Sequence, residues 1–114
     1  MTRAAKAKGR GGQQEIRDKL LETFPEFEPD DIKSTTMGDG GEDIQLSPSA
    51  RKTLPISIEV KRRKSGMKTA YSYIDQAGKH GKGEPVVFYR SDRQPWIIML
   101  GMDHYMELLR NWKK

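Results

Sequence analysis

The sequence predicts one mixed α/β domain, a central mixed sheet of about five strands flanked by helices. Two kinds of apolar period carry that expectation. Ile16, Leu20 and Phe24 recur every four residues, and Ala70, Tyr73, Ile74 and Ala77 fall at helical spacing, whereas Ile56-Ser57-Ile58-Glu59-Val60-Lys61 alternates strictly. A third observation concerns size. The 114 residues suffice for one modest core, and with 34% hydrophobic against 32% charged residues that core must come from a few short, patterned elements.

Residues 1–12 hold Arg3, Lys6, Lys8 and Arg10, three glycines and no acid, and read as a disordered basic arm before a folded domain at 13–114. From Gln13 the pattern turns helical until Pro25 stops it. Glu26 to Asp31 is an acidic loop, and Ile32 to Met37 a weak strand. Gly38-Asp39-Gly40-Gly41 is a turn, and Glu42 to Leu46 a second strand. Ser47 to Pro55, with two prolines, Arg51 and Lys52, reads as an exposed hairpin loop leading into the strand Ile56 to Arg63. The helix bearing Tyr73 and Ile74 ends at Gly78 and Gly81, leaving Lys79, His80 and Lys82 in a basic loop. Pro85–Tyr89 and Trp96–Leu100 are apolar strands joined by the polar turn Ser91–Gln94. Asp103 is the expected N-cap of a last helix with the stripe Tyr105, Leu108, Leu109 and Trp112.

Composition excludes several classes of function. With no cysteine, disulfides, thiolate metal sites and thiol nucleophiles are ruled out. His80 and His104 are too few for a His-rich zinc site, so a metal would be held by oxygen and be Mg²⁺ or Mn²⁺. No run approaches the ~18 apolar residues of a membrane span, and no apolar signal core stands at the N-terminus, so an intracellular location is expected. The net charge of +5 conceals an asymmetry: residues 15–43 carry ten acids and three bases, while residues 1–14 and 44–114 contribute +4 and +8. An acidic focus in a basic chain suits a protein that holds a polyanion around a metal, and equally an uneven solvated surface.

Alternation puts Glu59 and Lys61 on one face of their strand, and Asp43 opens the preceding apolar segment. Facing side chains on neighbouring antiparallel strands lie ~5 Å apart, a gap that Mg²⁺ spans while keeping several waters. Two carboxylates with a lysine beside them point to phosphodiester hydrolysis, in which metal-bound water is the nucleophile and the lysine orients it or stabilises charge. Asp39 competes with Asp43 as a ligand from its glycine turn. The alternative for Glu59 and Lys61 is a surface salt bridge worth at most ~1 kcal/mol. Arg62, Arg63, Lys64 and Lys68, together with Arg10, Lys79 and Lys82, are the candidate phosphate contacts. Tyr71 and Tyr73 are candidates to stack on an unpaired base, with Tyr73 at a core spacing.

This arrangement of an acid, a hairpin and an acid-x-lysine strand resembles the PD-(D/E)XK nuclease superfamily. Over residues 9–101 the order of elements is similar to the small Holliday-junction resolvases of archaea and phages. The resemblance implies a restriction-endonuclease-like fold with the nuclease domain at 13–114. It implies Asp43, Glu59 and the Val60 carbonyl as ligands of Mg²⁺, with Mn²⁺ as substitute. It makes Lys61, Glu15 and Gln76 the remaining catalytic positions, and a homodimer nicking branched four-way DNA junctions the active species. Glu42 stands where the literal motif has proline. A replication-repair nuclease of the same superfamily, a non-catalytic nucleic-acid-binding protein and a protein-interaction module remain the alternatives. Phe88, Trp96, Tyr105 and Trp112 are either a dimer surface or core.

Overall fold

The computed structural model describes residues 3–35 and 41–112. Its contacts divide the chain into two compact units, Met1–Lys64 and Ser65–Lys114. The fold is mixed α/β. Among the described residues the expected sheet of about five strands is replaced by two antiparallel pairs, one in each unit.

The first unit opens with α1, Arg3–Thr23, which starts ten residues ahead of the expected Gln13. Residues 3–12 are therefore helical and not a disordered arm. Gly9, Gly11 and Gly12 each cost the helix about 1 kcal/mol relative to alanine, and the packing of Gly12 against Val60 and Arg62 works against that cost. Pro25 ends the helix as anticipated. A single 3-10 turn at Pro29–Asp31 leads into β1, Ile32–Ser34, which pairs with β2, Ile44–Leu46, in the register Ile32↔Leu46 and Ser34↔Ile44. The expected turn at Gly38–Gly41, Asp39 within it, and the end of the first strand at Met37 lie wholly or partly outside the described residues. Leu20 of α1 and Phe24 just after it join Ile32 and Ile44 of the sheet in a fully buried core. Arg17 fastens helix to strand, its Nε donating to the Ile32 carbonyl at 2.7 Å.

Residues 48–53 form α2, Pro48–Thr53, where a hairpin loop was expected. The Ser47 hydroxyl accepts from the Ala50 amide at 3.1 Å, a side-chain N-cap, and Pro48 occupies the first turn, where its missing N–H costs nothing. Arg51 and Lys52 lie in the last turn, favourable for the helix dipole. Ala50 and Leu54 complete the core of the unit.

In the second unit α3, Lys68–Gly78, packs on the pair formed by β3, Val86–Tyr89, and β4, Ile97–Leu100. The stripe Ala70, Tyr73, Ile74 and Ala77 is half-buried, as its spacing predicts. The last helix, α4, spans Met102–Arg110 and is capped by Gly101, with Asp103 inside its first turn. Asp103 thus complements the positive helix end and does not serve as the cap. Met106 and Leu109 are the buried residues of α4, while Leu108 and Trp112 are each 53% exposed, so the buried stripe is rotated from the expected one. Phe88, Trp96 and Tyr105 are also exposed.

Candidate active site

Asp43 holds together three stretches of backbone. Its carbonyl accepts from the Thr35 amide at 2.9 Å, which extends the β1–β2 pairing by one bond. Its own amide donates to the Ile58 carbonyl at 3.1 Å. Its carboxylate Oδ2 accepts from the Val60 amide at 2.6 Å, a short charge-assisted bond. Residues 56–60 therefore run beside β2 without becoming a strand. The Val60 amide, which a third strand would offer to a backbone carbonyl, is taken by a side chain, so no ladder propagates. The expected strand Ile56–Arg63 is corrected on this ground.

Side-chain alternation survives the loss of the ladder. Ile56, Ile58 and Val60 are half-buried, whereas Ser57, Glu59 and Lys61 are exposed. Glu59 Oε2 and Lys61 Nζ lie 3.3 Å apart, both more than half exposed. The opposite face packs on α1. A Cβ at Gly12 would stand 3.3 Å from Arg62 Cβ and 3.4 Å from Val60 Cγ1, so the missing side chain permits the close passage of helix over segment.

This packing redistributes the expected phosphate contacts. Arg62 lies over the Gly11–Gly12 step of α1, with its Nη1 3.5 Å from where a Gly11 Cβ would be. Arg63, Lys64, Lys68, Lys79, Lys82 and Arg10 are exposed. Helical geometry puts Glu15 on the flank of α1 that carries Gly11 and Gly12. It is exposed, and no hydrogen bond or ion pair joins it to Asp43 or Glu59 among the described residues. Gln76 belongs to the second unit, on the exposed side of α3, where it lines an open cleft with Tyr73, His80 and Tyr89.

Behind Asp43 stands a second polar connection that the sequence reading missed. Glu42 Oε1 pairs with Arg51 Nη2 at 2.7 Å, and Arg51 Nη1 donates to the Ile56 carbonyl at 3.1 Å. The Thr35 hydroxyl donates to the Glu42 carbonyl. Arg51 thus ties α2 both to the residue preceding Asp43 and to the start of the segment bearing Glu59. The sequence did contain a signal for this arrangement. Ser47-Pro48 is a helix-start signature, and a helix at 48–53 turns Arg51 back toward β2.

Among the described residues no three of His, Asp and Glu gather into a metal-ligand set. What the first unit brings close is the Asp43 carboxylate and the Val60 amide, between Glu59 and Lys61 in the chain. Asp43 Oδ1 makes no hydrogen bond among the described residues, and carboxylates are hard oxygen donors, a chemistry that suits Mg²⁺ or Mn²⁺ with waters completing the shell. No helix among the described residues is long and apolar enough to cross a membrane. Comparison with protein-family models, with curated proteins and with solved structures found no match for this chain.

Proposed function

We propose that the chain is a metal-dependent DNA endonuclease using the chemistry of the PD-(D/E)XK superfamily, with branched DNA as substrate. The observation that carries this reading is the 2.6 Å bond from the Val60 amide to Asp43, which holds one acid against the backbone between a second acid and a lysine. Asp43, Glu59 and the Val60 carbonyl would hold Mg²⁺, with Mn²⁺ able to replace it. The ion would lower the pKa of a bound water and offset charge on the phosphate. Asp43 is oriented for this task by the amide it accepts from. Lys61, on the same face as Glu59, orients the attacking water and stabilises the negative charge that builds on the phosphoryl oxygens. Arg63, Lys64 and the basic start of α1 hold the DNA backbone.

Preference for four-way junctions rests on the resolvase-like order of Glu15, Asp43, Glu59, Lys61 and Gln76. A cutter of opposed strands needs two sites related by a twofold axis, so a homodimer belongs to the same proposal, as does an intracellular location. The competing reading is a nucleic-acid binder without catalysis, favoured by the mutual pairing of Glu59 and Lys61.

The test is cleavage of a labelled four-way junction and a linear duplex in Mg²⁺, wild type beside Lys61→Ala. Wild type should cut the junction in preference, and the variant should lose roughly a hundredfold in rate while keeping its DNA affinity. Equal cutting of both substrates removes the junction assignment. No metal-dependent cleavage, or equal rates for wild type and variant, removes the nuclease.

A further inference from the structure

One face of the β3–β4 sheet stays open among the described residues. Alternation sends Val87 and Tyr89 to the side where Tyr73 of α3 stacks on Tyr89, ring centroids 6.0 Å apart, and both are half-buried. Val86 and Phe88 point the other way and are exposed, Phe88 at 69%. The register sets Leu100 opposite Val86 and Ile98 opposite Phe88, so these four share the open face. Continued alternation adds Trp96, which is 63% exposed. None of the five carries a charge. Arg90, next along the same side, is turned onto the Gln94 carbonyl, its Nε donating at 2.9 Å.

What covers this face must itself present apolar side chains. Leu20, Phe24, Ile32, Ile44 and Leu54 of the first unit lie fully buried in its own core, and every large apolar side chain exposed among the described residues belongs to 67–112. Within this chain, therefore, the matching surface exists only on a second copy of the second unit. That unit is small and, among the described residues, fully buries only Met106 and Leu109, so it gains from added apolar contact. With Tyr105, Leu108 and Trp112 of α4, the open face brings its exposed apolar side chains to roughly 700 Å², close to the ~800 Å² that each partner of a stable complex buries. An uncharged face also lets two chains of net charge +5 meet there without like-charge contact. We infer that two copies of the chain pack these sheet faces together about a twofold axis, with Phe88 and Ile98 at the centre of the joint. A cutter of four-way junctions needs two copies, and this face is where they meet, but the inference rests on the apolar side chains alone.

The test is sedimentation equilibrium of the full chain without DNA or metal, so its outcome is independent of cleavage. Wild type should be dimeric at micromolar concentration, with a melting temperature that rises with protein concentration. Phe88→Lys and Ile98→Lys each bring a charge from both copies into the joint and should weaken association at least about 30-fold. Tyr71→Lys, at a side chain 70% exposed on α3, should dimerise as wild type does. A second readout needs no change to the face. The chain has two tryptophans, so Trp112→Phe leaves Trp96 as the reporter, and its emission should move to shorter wavelength as the dimer forms. Wild type monomeric throughout the micromolar range overturns the inference and leaves another protein, or the chain itself, as the cover. A dimer that survives both lysine substitutions, that Tyr71→Lys weakens as much, or that forms without a change in Trp96 emission overturns it too.

Discussion

The carboxylate of Asp43 accepts the backbone amide of Val60 at 2.6 Å, while the Asp43 amide donates to Ile58 one peptide earlier on the same segment. One residue thereby fixes both the position and the register of the run that carries Glu59 and Lys61. Its structural task and its proposed chemical task fall on the same side chain, and they are separable by substitution.

Asp43→Asn keeps an oxygen able to accept from Val60 but removes the negative charge. It should retain most of the stability and lose metal-dependent cleavage. Asp43→Ala strands the half-buried amide and should cost about 1–3 kcal/mol in urea unfolding, with cleavage lost as well. Equal stability of the two variants would show that the bond contributes nothing to holding the segment.

Local patterns carried far in this chain where one face of an element decides its fate. Ile16 and Leu20 lie on α1, with Phe24 directly after its last residue, the stripe at 70–77 lies on α3, and the apolar runs at 86–89 and 97–100 are strands. Alternation at 56–61 correctly sorted Glu59 and Lys61 from Ile58 and Val60, because extended backbone puts successive side chains on opposite sides with or without a ladder. What alternation does not encode is the partner of each amide. Asp43 competing for the Val60 N–H is a tertiary event, and it decided against the strand. The early start of α1 was hidden by Gly11 and Gly12, which are poor helix formers in isolation but permit the approach of Val60 and Arg62. The placement of Asp43 beside the run that bears Glu59 and Lys61 was legible. Its support by Arg51 was not, because Ser47–Pro55 was read for its prolines and not for its N-cap.

Arg51 bridges Glu42 and the Ile56 carbonyl, and Glu42 Oε2 is already buried without a hydrogen-bond partner. Arg51→Ala would leave both oxygens of Glu42 unpaired. Solvent screening at this partly exposed pair keeps the expected loss to about 1–2 kcal/mol in chemical unfolding. Adding Glu42→Gln should recover part of it, because the stranded charge is then gone. A double mutant less stable than Arg51→Ala alone would contradict this account.

Acid should weaken the first unit through Asp31. The Ser47 hydroxyl donates to its Oδ1 at 2.7 Å and the Glu28 amide to its Oδ2 at 2.9 Å, and these bonds hold its carboxyl below the ordinary value of 3.8. A carboxylate with a depressed folded-state pKa adds stability that is complete above the unfolded-chain value and vanishes as pH falls through the folded one. Stability should therefore decline below about pH 4 in wild type and decline less in Asp31→Asn. Urea midpoints from pH 6 down to 2.5 measure the difference, and parallel curves would exclude Asp31 as a source.

Gly12 sets how closely α1 approaches the segment behind Glu59 and Lys61. An alanine there gains about 1 kcal/mol of helix propensity, against a contact of 3.3 Å to Arg62 Cβ that requires a few tenths of an ångström of yielding. Arg62 Cβ moves only with its backbone, so the segment itself must shift slightly, and that cost offsets the propensity gain and leaves Gly12→Ala near neutral in stability. Gly12→Val adds two methyl groups against Val60 Cγ1 and a stiff β-branched side chain in a helix, and should destabilise by about 1–3 kcal/mol. Because Val60 is the residue that Asp43 holds, the strain passes directly to the proposed metal ligands. Gly12→Val should lower cleavage more than Gly12→Ala even at temperatures where both are fully folded. A valine variant as active and as stable as the alanine one would mean that the approach of helix to segment is looser than the 3.3 Å contact demands.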